Sequence, residues 1–387
     1  MRTPNPIHYD VVVVGARAAG ASTAMLLASR GLKVLAVERA AYGADTLSTH
    51  ALMRGGIEQL NRWGLLPAVA ATTPAIHATT FWYGTEQFTI NVKPKNGIEG
   101  LYAPRRTVLD PILVDVAREA GADVIFKTKV TEVVTDINGR VRGVELELID
   151  GSRTVVSSDL VIGADGLRSF VARKVGAPVT RRGTSKVATM ISYVENADLP
   201  TDEYVWAYGH GVAAGSIATS DGQHCVFASV RPEVFKTEAR LDIHGLFDAT
   251  LATASPFIRE GLCSGRRIGN IRSFPGHEGQ FRKPYGPGWA LVGDAGYFKD
   301  PAAAHGISDA LRDAELLTDA VLSGDFARYE TVRNHLSTPL FDQLEQLASF
   351  DWTYEELGSI HLGLARAMSD ESASMLAMRD GELTLAS

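Results

Sequence analysis

The chain has 387 residues, and its 38 Lys and Arg against 45 Asp and Glu leave a formal charge of −7 with the basic residues scattered, so nothing marks a nucleic-acid partner. Its 2 cysteines, Cys225 and Cys263, lie far apart without ligand spacing, which excludes a zinc framework or disulfide scaffold and suits a reducing cytosol. That length supplies a full core and two or three domains, and no stretch suits a membrane span, so a cytoplasmic protein is expected.

The N-terminus imitates a secretory signal, with an arginine before an apolar run from Val11 to Ala28. Arg17 and Gly20 interrupt that run, and Asp10 precedes it where positive charge is required. Tyr9 to Arg39 reads instead as strand, helix, strand. Val11 to Val14 are β-branched, as in a strand buried on both faces. Small and apolar residues follow from Ala18 to Arg30, Gly31 suits a helix C-cap, and Lys33 to Val37 is apolar again up to Glu38. An acid about twenty positions beyond the glycines is the spacing of a dinucleotide-binding βαβ unit. The Gly-x-Gly-x-x-Gly fingerprint is met only at Gly15 and Gly20, with Arg17 between them. Arg17 is therefore expected to lie beside a diphosphate and to add charge-assisted hydrogen bonds to the helix N-terminus.

Downstream, Ala40 to His50 reads as a loop and a helix is expected from near Ala51 through Leu60. Ile76 to Val92 is rich in β-branched and aromatic residues around Gly84, the pattern of a hairpin. Arg105 to Ala120 places Leu109, Ile112, Leu113, Val116 and Ala117 on one helical face, ended by Gly121. A meander follows over Val124–Asp136, Val141–Ile149 and Thr154–Val156, with turns at Asn138-Gly139 and Asp150-Gly151. Leu160 to Gly163 then reads as a separate buried strand running into Ala164-Asp165-Gly166. Lys186 to Val230 turns β-rich, with Asp221-Gly222 joining two strands; Gly209, Gly211 and Gly215 lie in strand context and are discounted as a phosphate loop. Trp289 to Val292 is a short strand ending in Gly293-Asp294-Ala295, and a helix is expected from Gly306 to Leu322. The chain beyond Asp325 is largely helical, and its last dozen residues carry no clear signal.

Three strand-to-loop junctions stand out: Gly15 to Gly20, Gly163 to Gly166 with Ser169, and Gly293 to Gly306 with Pro301, followed by Asp313-Ala314-x-x-Leu317. Their succession over residues 9–322 resembles the flavoprotein monooxygenases of the para-hydroxybenzoate hydroxylase type, with their relatives the geranylgeranyl reductases and flavin-dependent halogenases. The resemblance implies an α/β fold: a Rossmann-like FAD-binding domain from residues 1–75, 100–180 and 265–325, a discontinuous β-rich substrate domain from 76–99 and 181–264, and a helical C-terminus from 326. It implies FAD held by Gly15, Arg17, Ala18, Ala19, Gly20, Glu38, Arg39, Thr49, Arg106, Val130, Asp165, Gly166, Gly293, Asp294, Pro301, Gly306 and Ile307. Within that set Glu38 would bind the adenosine ribose, Arg106 the diphosphate or flavin edge, and Asp294 the ribityl chain. The helix start at Gly306 would stabilise a reduced flavin anion.

Two departures stand at the flavin loop. Tyr297 occupies the usual histidine position, and Ala304-His305-Gly306 replaces Gly-Gln-Gly. His305, His50 and Lys299 are the ionisable groups expected nearest the ring, as catalytic candidates. The aromatic strands with Phe81, Trp82, Tyr83, Tyr204, Trp206 and Tyr208 would roof a substrate cavity. The implied activity is monooxygenation of a small or medium organic metabolite with O2 and electrons from NADH or NADPH, delivered directly or by a separate flavin reductase. The alternatives are a double-bond reductase, a halogenase, or an escort-type binding protein on the same fold. The paired-tryptophan motif of the halogenases is missing, since Trp206 has no partner two residues away. Glu38 and Asp294 argue against the escort protein.

Overall fold

The computed structural model describes residues 7–379. Five parallel strands run in the order Trp289–Leu291, Arg153–Gly163, His8–Val14, Val34–Val37 and Asp123–Ile125. Alternate residues of the His8–Val14 strand enter different cores, Val11 and Val13 on one face and Val12 and Val14 on the other. This two-sided burial is why the run is β-branched without polar alternation. The Ala18–Ala28 helix covers one face and packs against the Arg106–Glu119 and Gly306–Ser323 helices. Register then fixes where the loops emerge. Val14 stands opposite both Val37 and Gly163, and Gly163 stands opposite Leu291, so four strands end together.

Two expected strands merge. Arg153–Gly163 is continuous because it changes partners: its first half pairs antiparallel with Val141–Glu147, its second half parallel with His8–Val14. The polar stretch Ser157 to Asp159, read from sequence as a break, lies at the handover. The opposite correction applies to Val124–Asp136, which splits at Lys127, a non-glycine residue at φ 54°. Lys127 and Thr128 donate to the carbonyls of Ala40 and Glu38 at 3.0 and 3.1 Å, and the next strand, Lys129–Thr135, leaves the parallel path to pair antiparallel with Val141–Glu147. The helix expected from Ala51 starts at Arg54, since Leu52 is held by the Tyr102 carbonyl at 2.9 Å.

The second sheet has seven strands in the order Arg266–Phe274, Ala188–Glu195, Gln223–Val230, Val212–Ala218, Glu203–Gly209, Ala78–Tyr83 and Glu86–Asn91. The hairpin enters it through parallel pairing of Ala78–Tyr83 with Glu203–Gly209. Arg266–Phe274, placed by sequence in the cofactor unit, pairs with Ala188–Glu195 and belongs here. Tyr204, Trp206 and Tyr208 face the core shared with the first sheet, while Val205 and Ala207 face the Pro232–Ala254 helix. Gly215 is a packing glycine, since a Cβ there would lie 2.3 Å from the Phe227 ring. A three-stranded sheet and the Phe326–Leu347 and Tyr354–Arg379 helices complete the described chain, and 380–387 lie outside it. No helix among the described residues is long and apolar enough to cross a membrane.

The first turn depends on two glycines in contact. Gly15 sits at φ +102°, and a Cβ on Gly20 would fall 1.8 Å from the Gly15 carbonyl oxygen. Gly20→Ala should therefore cost about 3 kcal/mol or more in urea unfolding, an overpacking against backbone that has no room to give. Gly31→Ala, where an added Cβ meets nothing within 4 Å, should cost only the smaller penalty of its positive φ.

Candidate functional site

The coinciding strand ends open onto one elongated cavity of about 720 Å³. Gly15, Arg17, Ala18, Ala19, Glu38, Arg39, Thr49, Arg106, Val130, Asp165, Gly166, Asp294, Pro301, Gly306 and Ile307 all line it. Three motifs more than a hundred residues apart thus share one wall. Gly20 and Gly293 stand behind it, Gly20 against the Gly15 carbonyl and Gly293, at φ +59°, against Ala19.

At one end, the buried Glu38 accepts hydrogen bonds from the backbone N–H of Ala16 at 3.0 Å and Ala40 at 2.9 Å. These fix the carboxylate at the strand tip, and each oxygen keeps a further lone pair for a ribose hydroxyl. Thr128 and Lys129, brought in by the left-handed Lys127, join Val130 there.

In the middle, Arg17 caps the Ala18–Ala28 helix through its backbone alone, so the first-turn N–H groups are free for an anion. Its Nη1 has no hydrogen-bond partner and lies 3.6 Å from Asp110. Arg106 is gripped by the same carboxylate, Nε to Oδ1 at 2.9 Å and Nη2 to Oδ2 at 3.0 Å. Asp110 is thus the orienting acid for both guanidinium groups; burial pushes its carboxyl up, and Arg106 opposes this. Sequence reasoning passed over it, although its i,i+4 spacing from Arg106 on a helix was a usable signal. Asp165, on the cavity wall, accepts from Ser169 Oγ at 2.5 Å and Phe170 N at 2.6 Å at the start of the next helix, which Ser169 caps. Its structural task is to shape the loop, while Arg168 and Arg173 reach the cavity.

At the far end, Asp294 follows Gly293 and faces the cavity with its carboxylate solvent-accessible. Its depth in the protein pushes the carboxyl up to about 6, opposed by the charges of Lys299 and Arg106. Ala304 adopts a left-handed conformation at φ 50°, and the Gly306–Ser323 helix begins with no side-chain cap, leaving its first N–H groups open. A Cβ on Gly306 would meet nothing within 4 Å, so that position projects into open cavity. Thr46, Leu47, Ser48, Thr49 and Ala51 form the facing wall.

The three catalytic candidates are not on that wall. His50, at φ 68°, sends its ring toward the second sheet, where it meets the Tyr193 hydroxyl at 2.5 Å. Burial and the nearby Arg105, Arg106 and Arg272 hold it well below the usual histidine range. Lys299 contacts Asp309, and burial brings its ammonium down to about 7. His305 meets Glu371 at 2.9 Å, and burial lowers it despite that acid. His305, Asp309 and Glu371 could each offer a metal ligand, but Lys299 and Arg312 already balance those acids. The expected aromatic roof is also corrected. None of the six lines the cavity: Tyr83 and Tyr208 bond His361 of the Tyr354–Arg379 helix at 2.5 and 3.0 Å, Trp206 packs on Phe227 and Trp82 on Phe257.

Two measurements test this geometry. Glu38→Ala removes the acceptor of two backbone N–H groups and should weaken FAD binding by about tenfold or more in a fluorescence titration. Asp300 caps the loop before Ala304, accepting from Val187 N at 2.8 Å and Ala302 N at 3.0 Å, and burial pushes it up to about 7. Its folded value exceeds its unfolded one, so its stabilising contribution is complete below about pH 4 and is lost as the pH rises to about 7. Asp300→Asn should flatten that slope in urea melts across the interval.

The family model for the FAD binding domain matches residues 8–323. Digeranylgeranylglycerophospholipid reductase 1 of Methanococcoides burtonii is 29% identical, over 83% of this chain and 76% of its own length. Squalene epoxidase 3 of Arabidopsis thaliana is 27% identical, over 80% of this chain and 59% of its own length. Among solved structures, the flavin-dependent brominase Bmp2 superposes with a TM-score of 0.78 at 19% identity, covering 97% of this chain and 100% of its own. The myxobacterial chondrochloren halogenase CndH gives 0.77 at 22% identity, covering 98% of each chain. These structures share the fold. With the cavity's glycine turns, its arginines and its open helix N-termini, the match shows that the chain belongs to the FAD binding domain family of FAD-dependent oxidoreductases.

Proposed function

We propose that the chain is a monooxygenase of the para-hydroxybenzoate hydroxylase type, acting on a small or medium organic metabolite. One atom of O2 enters the substrate and the other leaves as water, with two electrons supplied by NADH or NADPH. Bound FAD supplies the oxygen and electron chemistry, and the protein supplies position, electrostatics and exclusion of water. The observation that carries this reading is the wall at the far end of the cavity. Leu47, Ala51, Pro301, Ala304 and Ile307 give it an apolar stretch beside the hydroxyls of Ser48 and Thr49; Asp294, which faces the same end, is assigned to the ribityl chain rather than to the substrate, and His50, Lys299 and His305 are engaged in buried contacts behind the wall. Saturating a carbon–carbon double bond needs a hydride and a proton, so it calls for an acid beside the substrate. Oxygen transfer needs chiefly a dry pocket and a placed substrate.

Arg17 and Arg106 would meet the diphosphate, Glu38 the ribose, and Asp294 the ribityl chain. The open first turn at Gly306 would face the developing negative charge of the reduced ring. The one parallel dinucleotide-type sheet among the described residues is committed to FAD, so a nicotinamide would dock transiently or a separate flavin reductase would deliver electrons.

A double-bond reductase is the second reading, favoured by the names of relatives at 29%, 25% and 27% identity, all digeranylgeranylglycerophospholipid reductases. Turnover of the FAD-loaded protein with NADPH, candidate substrates and isotopically labelled O2 separates the two. Product carrying one labelled oxygen, with oxygen uptake matched to NADPH oxidation, is the expected result. A saturated product formed without oxygen uptake would replace this reading with the reductase.

A further inference from the structure

The start of the Gly306–Ser323 helix is held from behind by a residue outside the matched cofactor region. Glu371, on the Tyr354–Arg379 helix, is buried and uses both carboxylate oxygens on the Gly306–Ser323 helix and its cap. Oε2 meets His305 Nε2 at 2.9 Å, and Oε1 accepts from Arg312 Nη1 at 2.7 Å. Arg312 continues to Asp309 at 3.0 Å and to Asp313 at 2.6 Å, and Lys299 closes the group on Asp309. Every side chain in it is at most 8% exposed.

Position 305 is set apart by direction. Ala304, Gly306 and Ile307 line the cavity, while the His305 side chain between them points the other way, to Glu371. Backbone that turns through a left-handed alanine has no intrinsic preference for that course and must be held there. Apolar packing would secure a helix at least as well as a buried charge cluster, which carries heavy desolvation costs. The directional contacts of Glu371 with His305 and Arg312 instead favour one arrangement, and here the arrangement favoured is the aim of the helix's free N–H groups. Such an array acts on an anion only within its first turn, so its aim decides its effect.

We propose that Glu371 is a positioning residue for the flavin end of the site: by gripping His305 and Arg312 it fixes Ala304 and the first turn of the Gly306–Ser323 helix against the ring. The C-terminal helix thereby becomes part of the cofactor site without touching the cofactor. This rests on the FAD assignment and is independent of whether the reaction is oxygenation or reduction.

The test uses the full chain, with FAD affinity read by fluorescence titration beside Tm. Glu371→Ala should weaken FAD by about tenfold, the worth of one charge-assisted contact. His361→Ala removes the bonds to Tyr83 and Tyr208 that dock the same helix elsewhere. It should lower Tm yet leave FAD affinity within about twofold, a margin small beside that contact's worth. His305→Ala should reproduce the Glu371→Ala loss, and His305→Gln, which keeps a donor of similar reach, should restore most of the binding. If Glu371→Ala fails to fold, the His305 pair decides. Wild-type affinity in Glu371→Ala or His305→Ala, or an equal loss in His361→Ala, would overturn the clamp while leaving the FAD assignment intact. A wild-type chain that takes up no FAD would overturn both.

Discussion

The site depends on the register of a parallel sheet. With Val14 level with Val37 and Gly163, and Gly163 level with Leu291, the chain must leave four strands at one edge. Pairing continues one residue beyond: Gly15 N donates to Val37 O and Ala164 N to Val14 O, both at 2.8 Å, and Val292 N donates to Gly163 O at 3.0 Å. Loops 15–20, 164–166 and 293–306 are thus neighbours by construction. A shift of one residue in any strand would turn its side chains to the opposite face and pull its loop from the cavity. Ligands collect at such carboxyl-terminal edges because helix N-termini and tight turns converge there with unpaired N–H groups.

The electrostatics follow the same economy. The central cavity joins a helix N-terminus to two arginines, and one acid, Asp110, holds both guanidinium groups in place. The far end combines open main-chain N–H groups with Asp294, while Lys299, His305 and Arg312 are kept behind the wall in paired form. Oriented dipoles in a poorly solvated pocket can stabilise developing charge with little reorganisation, whereas a loose charged side chain would also admit water.

What could be read from sequence was local. The βαβ unit showed itself through Val11 to Val14, the two glycines and the spacing to Glu38, and the helices at Arg106 and Gly306 start within a residue of their expected positions. The missed boundaries were set by tertiary partners. Lys127 carries no turn signature yet is left-handed where two carbonyls of another loop take its own amide and that of Thr128. Ser157 to Asp159 stays extended because two different strands claim its two sides. The same reason explains the candidate acids and bases. Motif proximity placed the backbone of His50, Lys299 and His305 near the ring, but Tyr193, Asp309 and Glu371 decide where those side chains point. Two of these partners are remote, and no spacing rule links them.

The central claim is that three separate turns clasp one FAD along its length. A crystal structure of the FAD complex tests it most directly. The account predicts the diphosphate over Gly15 and the Ala18–Ala28 helix N-terminus, with the Arg17 guanidinium about 3 Å from a phosphate oxygen and the ring against Ala304 to Ile307. A diphosphate more than about 6 Å from Arg17, twice a charge-assisted hydrogen bond, or an FAD that leaves Gly15, Asp165 and Asp294 facing different ligands, would contradict it.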